Sequence, residues 1–195
     1  RKGGDNVAGR LPAYALLGQQ AEGTTAEQVL ANAGLDFTVQ KAPSGYKNHL
    51  GDFIHHKGHS ITYRDDTGQA LGNVGSTYRV YQNNDVLKVF DRLVGEGKVE
   101  YDRIGMIDGG RKGFASMLMP EGFTIAGWDD IDQYLYAIWS HDGSSGVRFL
   151  PTNIRPQCTN QFAYLESLMR DAGINPRSLS CRHSSGIDER IYQSF

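Results

Sequence analysis

Hydrophobic and polar residues are most regularly arranged in the middle of the chain, where four segments of strand length follow one another. These segments are residues 99–107, 113–119, 133–140 and 146–154. Their connections are Asp108-Gly109-Gly110, Pro120-Glu121-Gly122 and residues 141–145, and such clusters of Gly, Pro and Asp are typical of tight turns. Because consecutive strands with short connections usually pair, the pattern predicts an antiparallel β-meander.

An amphipathic helix is predicted directly after this meander. Thr159 or Asn160 is a suitable N-cap, and Gly173 is a suitable C-terminal glycine. One stripe between them is apolar: Phe162, Leu165, Leu168, Met169 and Ala172. A helix buries such a stripe against a neighbouring layer, so we expect it to lie across the sheet. The predicted fold class is therefore α+β, with a β-meander followed by a packed helix in a β-β-β-α type core.

Two further helices are predicted before the meander. Thr25 and Gln28 form a capping-box pattern for a helix over residues 26–33. Asn83 or Asn84 caps a second helix, which runs through Val94 and which Gly95 ends. An N-terminal helix therefore belongs to the predicted fold.

Short strands and one loop are predicted around these helices. Residues 35–40 alternate between apolar and polar, as a half-buried strand does. Residues 43–59 show no period and are predicted to form a loop. Residues 61–64 alternate again before the turn-forming sequence of residues 65–68, so a hairpin is expected there, with its second strand ending at Gly72.

A length of 195 residues suffices for one domain with a substantial core. Residues 1–23 show no sustained periodicity and are predicted to form an N-terminal arm. Residues 24–173 are predicted to form a single α+β domain. Residues 174–195 are predicted to be a C-terminal tail with a weak strand at residues 179–183.

Composition narrows the class of protein. Twenty Lys and Arg against 22 Asp and Glu give a formal charge of -2, which does not indicate a strongly basic nucleic-acid-binding domain. Apolar runs are too short for a membrane span, so a soluble, cytoplasmic protein is predicted. Cys158 and Cys181 are too few for a disulfide scaffold, and reduced, buried thiols are expected.

Several short motifs, in a fixed order, carry a resemblance to a known family. They are Thr24–Glu27 with Gly34–Phe37, Tyr63–Gly68 with Leu71–Gly75, Tyr78–Asn83, Asp108–Arg111, Ser140–Ser145 and Arg155–Asn160. In these stretches the chain resembles the phage/plasmid-like protein family, domain of unknown function 932. The resemblance implies an origin in a phage, prophage or plasmid, and it implies no assigned enzymatic activity.

The predicted architecture also resembles a second group at the level of the fold. A β-meander packed by a following helix is similar to the β-β-β-α core of phage single-strand annealing proteins such as RecT, Redβ and Erf. This resemblance implies a non-enzymatic, oligomeric protein that binds and anneals single-stranded DNA in recombination, without a cofactor. A likeness of fold alone does not establish function.

Basic residues of the meander are the predicted contacts to that DNA. Arg103, Arg111, Lys112, Arg148 and Arg155 fall on or beside its strands and form one positive stripe if they share a face. Tyr134 and Tyr136 supply aromatic rings on which bases stack. Alternatively, the arginines pair with Glu100, Asp102 or Asp132, and the rings, Trp139 above all, belong to the core.

Residues 140–145 contain the residue types of a hydrolase triad. Because adjacent side chains of an extended segment point to opposite faces, His141 and Asp142 alone cannot relay protons, and a hydrolase needs partners from elsewhere in the fold. A turn in which Asp142 accepts backbone N–H groups is the preferred interpretation. A second interpretation is that Ser144 and Ser145, with local amides, hold a phosphate oxygen.

Three histidines, His55, His56 and His59, are close enough in sequence to suggest a metal site. No carboxylate or cysteine completes a recognised spacing, so an exposed polar loop without metal is the prediction. Two functions remain open. The first is single-stranded DNA binding and annealing, and the second is a structural or regulatory protein-binding module that uses the N-terminal arm or an exposed edge strand.

Overall fold

The computed structural model describes residues 17–123, 131–155, 158–170 and 179–181. Within these residues the chain forms nine β-strands and three α-helices. The strands are β1 (Gln19–Gln20), β2 (Val39–Lys47), β3 (Phe53–Arg64), β4 (Ala70–Gly75), β5 (Glu100–Ile107), β6 (Lys112–Phe123), β7 (Ile131–Ser140), β8 (Val147–Thr152) and β9 (Leu179–Cys181). The helices are α1 (Ala26–Ala33), α2 (Asn83–Gly95) and α3 (Thr159–Arg170).

The larger sheet confirms the predicted meander and the α+β class. Its strand order is β1-β5-β6-β7-β8-β9, and each neighbouring pair is antiparallel. One turn of 3-10 helix, Asp108–Gly110, connects β5 to β6. The turn predicted at residues 120–122 is wrong, because β6 continues to Phe123. The connection to β7 falls in residues 124–130, which lie outside the described part of the chain.

Helices cover both faces of the larger sheet. Helices α1 and α2 cover one face, where Val29, Leu30, Leu87 and Phe90 pack against Ile104, Met117, Leu135, Trp139 and Phe149. Helix α3 covers the other face, where Phe162 and Leu165 pack against Phe114, Tyr136, Ile138 and Leu150. Fully burying one such side chain contributes about 1.5–3 kcal/mol. The predicted packing of α3 across the sheet is confirmed, although Ala172 and Gly173 lie outside the described residues.

Both earlier helices form where the pattern predicts them, with small differences at their ends. The Thr25 hydroxyl accepts the Gln28 N–H at 3.3 Å, which confirms the cap of α1. Helix α2 begins one residue earlier than a cap at Asn83 implies, because Gln82 is the N-cap and its N–H donates to the Asp85 carboxylate at 3.1 Å. The left-handed backbone after α2 belongs to Gly97 rather than Gly95.

A smaller sheet of order β2-β3-β4 stands beside the larger one. The predicted hairpin is confirmed as β3 and β4, although β4 extends to Gly75. The strand predicted over residues 35–40 begins only at Val39, and most of the loop predicted over residues 43–59 is strand. Residues 35–40 do alternate between buried or half-buried and exposed positions, but pairing with β3 starts only at Val39. The prediction of a loop failed because residues 45–59 bury neither face of the strand pair, so their sequence carries no alternation.

Both ends of the described chain join the larger sheet. Leu17, in the predicted N-terminal arm, is buried, and β1 pairs with β5. Strand β9, in the predicted C-terminal tail, pairs with β8. Strand β9 confirms the weak strand predicted at residues 179–183, whereas β1, with two residues, is too short to produce a period in the sequence. Among the described helices, none is both long and apolar enough to span a membrane.

Candidate nucleic-acid interface

The predicted basic stripe lies largely on one face of the larger sheet. Arg103 is opposite Ser116, and Lys112 is opposite Ser140. Arg148 is opposite Ile138, one of the residues on which α3 packs. Because side chains that face each other across paired strands point to the same side, these three cations share the face that α3 covers.

Most of these cations are bound to oxygen atoms of the protein itself. The Arg103 guanidinium donates to the carbonyl oxygens of Leu17 at 2.9 Å and Gly18 at 3.0 Å, and so fastens the segment before β1. Lys112 forms an ion pair of 2.6 Å with Glu166 on α3. Arg155 pairs with Asp102 of β5, as the alternative interpretation of the stripe expected. The contacts of Arg103 and Lys112 hold the segment before β1 and helix α3 against this sheet.

Arg111 and Arg148 have different surroundings. The side chain of Arg111 is exposed at the β5–β6 turn, while its carbonyl oxygen accepts the His141 N–H at 2.7 Å. Nε of Arg148 is buried and has no hydrogen-bond partner. Arg155 is also exposed but is paired with Asp102, so these residues do not form the continuous positive groove that the sequence suggested.

The two tyrosines predicted to stack on bases lie in the interior. Tyr134 and Tyr136 are both buried, and the ring of Tyr136 packs between Phe114 and Phe162. Burial, followed by the charge of Glu166, raises the pKa of Tyr136 well above its ordinary value. Neither ring offers a face to a base in this arrangement, because both side chains are buried. Trp139 is a core residue, as the alternative interpretation expected.

Asn83, the first residue of α2, connects three parts of the fold beneath the turn of residues 141–145. Its side-chain oxygen accepts the Trp139 indole N–H at 2.9 Å and lies 2.8 Å from Nε2 of His141. Its side-chain N–H donates to the Leu35 carbonyl oxygen at 2.9 Å. Because the amide oxygen can only accept, His141 carries a proton on Nε2. The buried His141 ring is therefore a structural anchor in this arrangement.

The turn itself is built as the sequence predicted. The Asp142 carboxylate accepts the Ser144 N–H at 2.8 Å. The Ser140 hydroxyl donates to the Ser145 carbonyl oxygen at 2.7 Å and accepts the Ser145 N–H at 3.0 Å. The Ser145 hydroxyl donates to the carbonyl oxygen of Gly146 at 2.8 Å. Ser144 is exposed, and a phosphate contact at this turn stays a prediction.

This turn also joins the two sheets. Thr62 of β3 donates to the His141 carbonyl oxygen at 2.7 Å, and the Tyr78 hydroxyl donates to the Ser140 carbonyl oxygen at 2.9 Å. Gly72 of β4 lies so close to Asp142 that an added Cβ would be 2.5 Å from the Asp142 Cα. The motif of residues 140–145 therefore has a clear structural role, which is to hold the smaller sheet against the meander.

The feature that sequence reasoning missed is a β2–β3 ribbon, residues 45–59, which extends beyond the end of β4. Strand β4 pairs with β3 only from His59 to Tyr63, so most of the ribbon has two strands and no third. The amide oxygen of Asn48 accepts the N–H groups of Leu50 and Asp52, both at 2.9 Å, and orders the tip. Every residue of the ribbon except Asn48 is exposed.

The ribbon concentrates exposed apolar and basic side chains. Four of the five large hydrophobic side chains that are exposed in the described residues belong to it: Tyr46 (63%), Leu50 (73%), Phe53 (49%) and Ile54 (40%). Lys47 and Lys57 have no ion-pair or hydrogen-bond partner for their ammonium groups within the described part of the chain. Two-stranded ribbons are only marginally stable alone in water, so this surface is suited to a partner.

Four of the six histidines also belong to the ribbon: His49, His55, His56 and His59. The rings of His56 and His59 are parallel and stacked, with centroids 4.4 Å apart. The lone pair of an imidazole nitrogen lies in the plane of its ring, so two parallel rings do not direct their lone pairs at one metal ion. Among the described residues, no three His, Cys, Asp or Glu side chains are grouped so as to hold a metal. Cys158 is a free, half-buried cysteine.

The fold and these contacts define an α+β protein in which a helix-covered antiparallel sheet carries a second sheet with an exposed β-ribbon. The chain belongs to the family described as Domain of unknown function (DUF932), whose sequence profile matches residues 70–194. No curated protein and no solved structure matches the chain. The motifs from residue 71 onward lie inside the family match, whereas the ribbon lies before it.

Proposed function

We infer that this chain is a non-enzymatic single-stranded DNA-binding and annealing protein that acts in phage or plasmid recombination, and that the β2–β3 ribbon is its contact with DNA. It works as an oligomer along the strand in the cytoplasm of a bacterial host and uses no cofactor. The origin, the oligomer and the annealing activity rest on the resemblances of the sequence. The location of the contact rests on the structure of the ribbon.

The single observation that carries the proposal is that exposed aromatic rings and lysines occur together on the ribbon. Tyr46 and Phe53 are exposed on the same two-stranded element as Lys47 and Lys57. Proteins that bind single strands combine basic side chains along the backbone with rings on which bases stack. The ribbon combines these two requirements, whereas three cations of the meander, Arg103, Lys112 and Arg155, are bound to Leu17, Gly18, Glu166 and Asp102.

Neutralising the two ribbon lysines, Lys47→Gln with Lys57→Gln, should weaken binding to a fluorescein-labelled single strand roughly three- to tenfold at about 50 mM salt. The loss follows from two fewer phosphate contacts. Each contact contributes about -0.7 to the slope of log affinity against log salt, so that slope should flatten by about 1.4. Fluorescence anisotropy across a series of salt concentrations measures both quantities.

Lys88→Gln is the matched control, because Lys88 is an exposed lysine of α2 that lies outside the ribbon. This variant should bind and respond to salt as the wild type does. Because Lys88→Gln removes one charge and the ribbon variant two, a diffuse effect of net charge would give Lys88→Gln about half of the ribbon variant's change in log affinity, and that result would contradict the assignment to the ribbon. If the folded wild-type protein does not bind single-stranded DNA at low salt, the proposed function is wrong.

The same ribbon also favours the second candidate, a structural or regulatory module that binds another protein. Leu50 and Ile54 are exposed aliphatic side chains, and β2 is an edge strand. Such an edge pairs readily with a strand from a partner. A photo-reactive amino acid at position 50 distinguishes the candidates in cells, because it forms a nucleic-acid adduct in the first case and one defined protein adduct in the second.

A further inference from the structure

Phe53 occupies an unusual position on the ribbon, since its ring tip lies directly over Gly45 of the neighbouring strand. A Cβ added to Gly45 would lie 2.6 Å from Cε1 and 2.7 Å from Cζ of that ring. Real Cβ atoms do not approach other atoms so closely, so the ring occupies the space that any other residue would fill at position 45. The missing side chain thus lets Phe53 lie against the backbone of β2 while about half of it stays exposed.

Two polar side chains border this ring. The His55 ring meets the Phe53 ring edge to face, with centroids 5.0 Å apart and an angle of 76° between their planes. Lys47 is directly opposite Phe53 in the strand register, so both side chains point to the same side of the ribbon. A ring fixed in place is therefore flanked by a flexible ammonium group on one side and an imidazole on the other.

We propose that Phe53 is a stacking site for one unpaired nucleobase, with Lys47 holding an adjacent phosphate. This site rests on the proposed function and specifies which part of the nucleic acid is recognised, namely an unpaired base with its neighbouring phosphate. An aromatic ring accepts any base by stacking, without reading its hydrogen-bonding edge, so the site is tolerant of sequence. Bases within a duplex are already stacked on their neighbours, and the site therefore selects single strands.

The charges of the ribbon favour a nucleic acid over an apolar peptide at this position. Lys47 and Lys57 outnumber the one acidic residue, Asp52, and four histidines stand close by. Tyr46 is even more exposed than Phe53, but it is paired with Ile54 and so points to the opposite side of the ribbon. The proposed site is therefore confined to the face of the ribbon that carries Phe53, His55 and Lys47.

The test compares a mixed-sequence 20-nucleotide single strand with an abasic sugar-phosphate strand of equal length and charge. Phe53→Ala should weaken binding to the normal strand roughly tenfold and leave binding to the abasic strand unchanged. Phe53→Trp should retain affinity, and its additional fluorescence should be quenched by the normal strand but not by the abasic one. Tyr164→Ala, which removes an exposed ring from α3 outside the ribbon, should change affinity less than twofold.

The outcomes separate this site from the function on which it rests. If the wild type binds both strands equally and Phe53→Ala matches it, the stacking site is wrong while DNA binding stands. If the wild type binds neither strand at low salt, both proposals are wrong. If Phe53→Ala instead abolishes self-association in sedimentation velocity while DNA affinity is unchanged, the ring is a contact between copies of the chain, and the stacking site is again wrong.

Discussion

Replacing Asn83 with alanine should lower the free energy of unfolding by about 4 kcal/mol. The substitution removes the side-chain partners of the Trp139 indole N–H and of the Leu35 carbonyl oxygen, and it removes the contact of the amide oxygen with His141. Each buried polar group that is left unsatisfied costs about 1–3 kcal/mol. Urea unfolding, followed by circular dichroism, measures the change.

The neighbouring residue supplies the matched control. The side-chain oxygen of Asn84 is buried without a hydrogen-bond partner, so Asn84→Ala removes no bond at that atom. Alanine also has the higher helix propensity, and we expect a change within about 0.5 kcal/mol. Similar losses for Asn83→Ala and Asn84→Ala would show that Asn83 does not hold α2, the end of β7 and the segment before β2 together.

Replacing Gly113 with alanine should destabilise the fold by about 3 kcal/mol, near the upper end of what overpacking a core usually costs. An added Cβ would overlap the indole ring of Trp139 on β7. That ring is fully buried and its N–H is bonded to Asn83, so it has little freedom to move away. Chemical unfolding monitored by fluorescence reports both the stability and any change around the indole.

Gly75→Ala is the comparison for this second substitution. Gly75 is also a strand glycine, but no atom lies within 4 Å of the Cβ that alanine would add. Its backbone is not in the left-handed region, so alanine fits without strain. We expect a change within about 0.5 kcal/mol. A loss as large as that of Gly113→Ala would mean that replacing any strand glycine with alanine is costly, and that the contact with Trp139 is not the cause.

Elements that bury at least one face could be predicted from the sequence, and the prediction failed where no face is buried. The meander appears as apolar segments of strand length because helices cover both faces of its sheet, and α3 shows a periodic stripe because Phe162 and Leu165 pack on one of these faces. The ribbon was not predicted because both of its faces are exposed to solvent. Neighbouring residues such as Tyr46 and Lys47 therefore do not alternate between a buried and an exposed side. Only its exposed aromatic rings beside lysines could have drawn attention to it.

For the candidate site, the positions of the charged residues could be predicted from the sequence, but their partners could not. The shared face of Arg103, Lys112 and Arg148 follows from strand alternation, and the structure agrees with it. Their partners do not follow, because Glu166 is 54 residues from Lys112 in the chain and reaches it only when α3 folds back. Sequence patterns thus indicate where charges stand, whereas tertiary packing decides which of them are left for a ligand.

The β2–β3 ribbon contributes no buried side chain to either core, because every residue from 45 to 59 except Asn48 is exposed. Substitutions of exposed residues usually change stability by no more than about 0.5 kcal/mol. The sequence of the ribbon can therefore change with little cost to the fold, so the surface that meets a partner can vary independently of the core that supports it.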